Sequence, residues 1–357
     1  MTGDTGRIGG EHADLLDDLL AGKHRALARV ITKIENRDPG YRDLVSALHD
    51  HTGSSEVVGI TGSPGAGKST LVDKVANYYR ERGETVGVIA VDPSSPFTGG
   101  AVLGDRIRMA SNVGDMDVFF RSMSARGTLG GLSTATTDAV KALDAFGKDK
   151  ILIETVGAGQ NEIDVVKTAD TVAVLVPPES GDNVQMLKAG ILEIGDVFVV
   201  NKADLDGADR TVQELREMLH MRDDRAATLS TGHHGASRSQ GGSEDSEDGD
   251  DERERWDPRI VETVAKDGDG VPEFVETLAD HRAYLERSGR LEAKARTRYA
   301  EEIRNLLRDD VGELLEDEIE RRGGMAELVA GVMARETDPY SVADEVIDPL
   351  EGCLDDS

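Results

Sequence analysis

Eight consecutive residues, Gly62, Ser63, Pro64, Gly65, Ala66, Gly67, Lys68 and Ser69, spell G-x-x-x-x-G-K-S directly after an apolar, β-branched run and before a helical pattern. Glycines at those places let the backbone curl until its N–H groups point inward at a phosphate, and the positive end of a helix starting near Lys68 adds to the attraction. Lys68 brings a point charge to β- and γ-phosphates, and the Ser69 hydroxyl, with Thr70 beside it, is the donor type that ligates Mg²⁺ there. A second group, Asn201, Lys202, Ala203 and Asp204, closes another apolar run about 130 residues later. Guanine presents N1–H and its 2-amino group as adjacent donors, and one carboxylate accepts from both. Adenine offers an acceptor at N1 and nothing at C2, so Asp204 selects GTP over ATP by roughly 10⁴-fold or more, the usual penalty for leaving a built hydrogen-bonding site unpaired. Asn201 ties this loop to the phosphate loop, and the Lys202 stem lies over the base.

Between the two, Ile151, Leu152 and Ile153 deliver Glu154, then Thr155, Val156 and Gly157. A carboxylate at a strand end suits Mg²⁺ or its waters, and the N–H of Gly157 reaches a γ-phosphate because no side chain blocks it. Loss of that phosphate releases the segment through Gln160, which makes it a switch. Asp92 closes an earlier strand and Asp105 follows a glycine-rich stretch. Each carboxylate either orients metal or water or is one more surface aspartate in an acidic chain.

The elements that must position these residues are legible as apolar runs alternating with helical patterns. Strands are expected at Val57–Thr61, Thr85–Val91, Val118–Phe120, Ile151–Glu154, Thr171–Val176, Val197–Val200 and Ile260–Ala265. Continuous apolar strands separated by helices mean a parallel sheet covered on both faces. The fold class is therefore α/β, a doubly wound, mainly parallel sheet of P-loop NTPase type, with helical extensions at both ends. His12–Arg37 repeats apolar residues at three- and four-residue spacing and reads as helix. The expected organisation is an N-terminal helical extension at 1–50, a nucleotide-binding domain at 51–285 and a C-terminal helical extension at 286–357. Beyond a helix near Thr211–His220, Ser230–Arg255 is rich in Ser, Gly, Asp and Glu, and reads as a disordered acidic insertion. Its His233 and His234 read as part of a solvated loop rather than a metal site. Tyr299, Ile303, Leu306, Leu307, Val311, Leu314, Leu315 and Ile319 form one stripe, which suits either packing on its own domain or an interface.

The 357 residues carry 70 carboxylates against 41 Lys and Arg, a formal charge of -29. A chain that binds a phosphate backbone needs a basic face, so nucleic acid is not an expected partner. Only 12 of the basic residues are Lys, and an acidic, lysine-poor surface suits concentrated salt, where screening weakens self-repulsion. The single cysteine, Cys353, makes no internal disulfide and leaves too little thiol for a Cys-built metal site. Met1–Gly10 lacks the apolar core of a signal peptide and no window approaches a membrane span, so a cytoplasmic protein with no membrane partner is expected. The charge is uneven: residues 205–357 hold 20 basic and 41 acidic groups, residues 56–204 hold 14 and 20.

Taken in order, TGSPGAGKSTL, VDPSSPFTGGAVLGDRIRM, RSMSARGTLGGL, ETVGAGQNE, ESGDNVQMLKAGILEIGDVFVVNKAD and TVAKDGDGV resemble the MeaB/ArgK group, the methylmalonyl-CoA mutase-associated GTPases, from about His12 to Leu285. The resemblance implies a GTP-hydrolysing chaperone that uses GTP/GDP and Mg²⁺ and binds an adenosylcobalamin-dependent methylmalonyl-CoA mutase. The resemblance further implies that such a protein gates cofactor loading, protects the mutase, and forms a homodimer to which the C-terminal stripe would contribute. By position, Ser69, Asp92, Asp105 and Glu154 match the residues around Mg²⁺ and the hydrolytic water. Asp105–Met109 and Gly181–Lys188 match mobile relay segments, with Arg108, Asp182, Gln185 and Lys188 as their polar members. Thr263, Val264 and Ala265 stand where many GTPases have Ser-Ala against the guanine edge, so a backbone N–H of Val264 or Ala265 serves there. Asn183 and Val184 replace the more usual acidic-apolar pair. Other readings are an ATP-using kinase linked to transport of basic amino acids, which Asp204 opposes; a metallochaperone-type GTPase, which lacks its Cys and His here; and a GTP-binding scaffold, against which the set of Lys68, Ser69 and Glu154 speaks.

Overall fold

Alternate residues of the central strands go to opposite faces, and the cores on the two faces are built from that alternation. The computed structural model describes residues 10–92, 117–124, 131–155, 168–178, 191–231 and 255–355. Within them lie β1 (Glu56–Gly62), β2 (Val86–Asp92), β3 (Val118–Ser124), β4 (Lys150–Thr155), β5 (Thr171–Val176), β6 (Val197–Asn201) and β7 (Arg259–Thr263). They form one sheet in the order β3-β2-β4-β1-β5-β6-β7 with every pairing parallel. β1, β5 and β6 are buried along their whole length, which is what their unbroken apolar runs require of strands covered on both faces.

The helices are α1 (Gly10–Leu20), α2 (His24–Asn36), α3 (Tyr41–Leu48), α4 (Lys68–Arg80), α5 (Gly131–Ala145), α6 (Ala208–Thr231), α7 (Val271–Arg287), α8 (Arg290–Arg321), α9 (Met325–Met333) and α10 (Pro339–Asp355), with a single turn at Ile191–Ile194. On one face Val58, Ile60, Val88 and Leu152 meet Leu71, Val75 and Tyr79 of α4 and Phe274 and Leu278 of α7. On the other, Val57, Ile89, Ile151 and Ile153 meet Ala139 and Leu143 of α5 and the apolar sides of α1, α2 and α3. That face continues under α6, where Val172, Val174, Phe198 and Val200 meet Val212 and Leu215. The N-terminal helices thus share the core of the sheet.

The His12–Arg37 pattern is two helices rather than one stretch. At Gly22, φ is +78°, and the amides of Gly22 and Lys23 bond back to the carbonyls of Leu19 and Asp18 at 2.9 and 3.1 Å. This left-handed turn ends α1 and lets α2 pack against it. α3 carries only a short apolar pattern and becomes visible in its buried Leu44, Val45 and Leu48. α6 outruns its expected end near His220 and continues to Thr231, because Met, Arg, Ala and Leu are favourable helix formers. Ser230 and Thr231 of the expected disordered insertion are therefore helical, and residues 232–254, with His233 and His234, lie outside the described residues.

At the amino-terminal edge of the sheet, Asp170 before β5 and Asp196 before β6 anchor α7 and the start of α8. Arg282 pairs with Asp170 at 2.9 Å, and Lys294 donates to the Asp170 carbonyl at 2.8 Å and to Asp196 at 3.2 Å. Contacts divide the chain into Met1–Lys294 and Ala295–Ser357, inside α8. In the second unit, buried Glu318 accepts from Arg321 and Arg322 at 2.6 and 2.8 Å, and Arg322 reaches Glu345 of α10 at 3.7 Å. Leu315, Ile319, Leu328, Val332, Val342 and Val346 line an apolar cavity of about 430 Å³ there. The α8 stripe is open: Tyr299, Ile303, Leu307, Val311 and Leu314 are between 43% and 58% exposed. Among the described residues no helix is long and apolar enough to cross a membrane.

Candidate nucleotide site

The parallel register brings the chemistry-bearing residues to the carboxyl edge of the sheet, where ligands of open α/β folds bind. β1 ends at Gly62, and its chain turns into α4 through Ser63, Pro64, Gly65, Ala66 and Gly67. Gly62 takes φ +140°, and a Cβ there would fall 2.1 Å from the carbonyl oxygen of Leu175 on β5. Only glycine lets the loop leave the sheet at that point. At Gly67 φ is +93°, and a Cβ would fall 2.3 Å from the Asn201 Nδ2. No side chain caps the first turn of α4, so its amides and the positive end of the helix are the ready-made partners of an anion. Lys68 is buried, and its Nζ donates to the carbonyls of Gly62 and Ser63 at 2.7 and 3.0 Å. The ammonium thus braces the loop curvature. Ser63 and Ala66 are buried, Pro64, Gly65 and Thr70 exposed.

β6 carries the base-reading group to the same edge. Asn201 is buried, and its amide has one assignment that satisfies every neighbour: Nδ2 donates to the Ala66 carbonyl at 2.7 Å, while Oδ1 accepts from the Thr263 hydroxyl at 3.1 Å and the Ala265 N–H at 3.0 Å. One side chain thereby joins the phosphate loop, β6 and the end of β7. Lys202 adopts a left-handed φ of +63°, unusual for a residue with a Cβ. Its Nζ donates to the Gly65 carbonyl at 2.9 Å, which lays the stem along the loop. Asp204 is exposed and pairs through Oδ2 with Lys266 Nζ at 2.6 Å. That hydrogen bond is the largest influence holding its carboxyl below the ordinary carboxylate range; Lys202 acts the same way. Val264 is half-buried and Ala265 buried beside them.

The third contribution comes from β4. Glu154 is buried at the strand end, and the Ser69 hydroxyl donates to its Oε1. At the next residue of β4, the Thr155 hydroxyl bonds that of Thr61 on β1 at 3.0 Å, fixing β4 against β1 beneath the loop. A hydroxyl and a carboxylate oxygen in contact next to Lys68 are a hard-oxygen donor set, so these residues fit Mg²⁺. Asp92 ends β2 opposite Ser124 of β3, which puts its backbone at the same edge, one strand beyond β4. Asp105, Gly157, Arg108, Asp182, Gln185 and Lys188 lie outside the described residues.

The structure gathers Gly62–Thr70, Glu154, Asn201, Lys202, Asp204, Val264 and Ala265 at one edge. It adds Lys266, Thr61 and the hydroxyl bonds of Thr155 and Thr263, which the motifs did not single out. Lys266 carried a local signal, since it directly follows Ala265, two residues beyond the end of β7.

Residues 27–320 match the family model described as Methylmalonyl Co-A mutase-associated GTPase MeaB. A putative GTPase of Pyrococcus abyssi is 45% identical over 339 residues, spanning 95% of this chain and 97% of its own. The mitochondrial methylmalonic aciduria type A homolog of Mus musculus is 31% identical over 314 residues, 83% of this chain and 69% of its own. Among solved structures, that of an LAO/AO transport system kinase superposes with a TM-score of 0.62 over 96% of this chain and 99% of its own, at 24% identity, a likeness of fold.

Proposed function

We propose a working cycle for this chain on one premise: it belongs to the MeaB family of methylmalonyl-CoA mutase-associated GTPases. It is a P-loop GTPase, and the finer reading is that GTP binding and hydrolysis time its handling of an adenosylcobalamin-dependent methylmalonyl-CoA mutase. In that role it gates cofactor loading and protects the mutase. The observation that carries the nucleotide half is the junction at Asn201, which ties the Asp204 loop to the loop bearing Lys68. The family description carries the mutase half.

In the cycle, Lys68 exchanges the Gly62 and Ser63 carbonyls for β- and γ-phosphate oxygens, keeping its donors occupied throughout. The α4 amides and the loop N–H groups hold the β-phosphate. Ser69 would hold Mg²⁺ directly, and Glu154 would hold it directly or through water. When bound, the ion would supply positive charge against the negative charge of the phosphates. Asp92 and Asp105 orient the metal's waters or the attacking water, and Gly157 senses the γ-phosphate. Its loss relaxes the segment through Gln160 and, through Arg108, Asp182, Gln185 and Lys188, the surface offered to the mutase. The exposed α8 stripe serves a homodimer.

Phosphate release from GTP and ATP tests this reading. GTP is hydrolysed and ATP is not, and Lys68→Ala abolishes turnover; an ATP preference points instead to the phosphotransferase reading. Size-exclusion chromatography with purified methylmalonyl-CoA mutase and a non-hydrolysable GTP analogue tests the client, and failure to co-elute with or without nucleotide removes it.

A further inference from the structure

We propose that Lys266 is a positioning residue of the base pocket, holding the Asp204 carboxylate in place for guanine; the inference rests on Asp204 as the group that reads the base. The Nζ sits 2.6 Å from Oδ2 of Asp204, whereas the neighbouring Asp267 carboxylate is 3.9 Å away. The ammonium thus favours the partner across the β6–β7 junction over the one next to it in sequence.

The backbone under Lys266 is fixed. Ala265 before it gives its N–H to Asn201, and the turn after it is closed by Val264 N–H to the Asp269 carbonyl at 3.0 Å and Asp267 N–H to the Val264 carbonyl at 2.9 Å. Gly270 completes that turn at φ +75°, where a Cβ would fall 2.1 Å from the Glu262 carbonyl oxygen. Lys266 therefore reaches Asp204 from a rigid base, and the same asparagine registers both loops.

The consequence for recognition is chemical. An ionised carboxylate is acceptor-only, with about four lone-pair sites on its two oxygens. Lys266 occupies one and leaves the others for the two donors of guanine. A neighbouring cation also disfavours the protonated carboxyl, whose O–H is a donor that adenine N1 would accept. Lys266 thus limits the rotations of the Asp204 carboxylate that guanine binding would otherwise have to freeze.

Fluorescent N-methylanthraniloyl-GDP titrations of the full chain test the proposal. Lys266→Met weakens binding by about fivefold, the upper range for an exposed pair, Lys266→Arg restores it, and Lys266→Met has no further effect in an Asp204→Ala background. Wild-type affinity in Lys266→Met, or an equal loss in the Asp204→Ala background, overturns the positioning role. Undiminished affinity in Asp204→Ala itself overturns the base assignment instead, so the two failures are distinguishable. Matching thermal melts of the variants establish that each is folded.

Discussion

Gly67 sits where three demands meet: a left-handed φ of +93°, the start of α4, and the close approach of Asn201. A methyl group there both strains the backbone and displaces the amide that bridges the loops. Gly67→Ala is expected to weaken GDP binding on the order of 100-fold, summing backbone strain with the loss of a buried hydrogen bond. A GDP titration beside a melting curve checks it, and the fold is expected to survive because the residue lies at the surface of the sheet edge. Gly67 and Lys68 were legible in the sequence because their function is local: the spacing within one loop is the function. The bonds made by Thr263 and Lys266 were not, because their partners Asn201 and Asp204 lie 62 residues away, and only the register of β6 with β7 brings them together.

Strands were the most legible elements, since a central parallel strand is buried on both faces and must be apolar throughout. The break between α1 and α2 was hidden because Leu20 and Leu27, on either side of the turn, are seven residues apart, a spacing that keeps the helical period. Polar ties between elements were equally hidden. His281 of α7 is 1% exposed; Nδ1 bonds the Thr171 hydroxyl at 2.8 Å, Nε2 lies 3.4 Å from Asp196, and the Trp256 ring lies tilted against it at 4.7 Å while donating to the Asp196 carbonyl at 2.8 Å. Burial drives the His281 pKa down to about 4; Asp196 and Asp170 pull it back and Lys294 lowers it further. The unfolded chain takes up this proton near pH 6.5, whereas the folded chain resists it until about pH 4. Stability is therefore full above about pH 6.5 and falls through that window on acidification, by on the order of 3 kcal/mol from this one group. Urea unfolding of wild type and His281→Gln across pH 4–7 checks it: the variant loses that part of the slope.

At the scale of the molecule, charge and apolar surface are segregated. The acidic excess gathers beyond residue 205, while the phosphate-binding loop draws on backbone amides, Lys68 and a helix end. The α8 stripe is the largest run of open apolar side chains among the described residues, on a helix otherwise crowded with charge. If it covers itself in a homodimer, Ile303→Asp with Leu307→Asp converts the dimer to monomer, since each buried leucine-sized side chain is worth about 1.5–3 kcal/mol; multi-angle light scattering reads the mass. GTP turnover by the isolated monomer is expected to persist, because every residue named at the nucleotide edge lies before α8 in the chain. The bridge at Asn201 has a wider meaning. One amide spans two loops, so ordering either lowers the entropy lost in ordering the other. Base and phosphates then engage as cooperatively linked halves of one ligand, and the intact nucleotide binds more tightly than its two fragments together would.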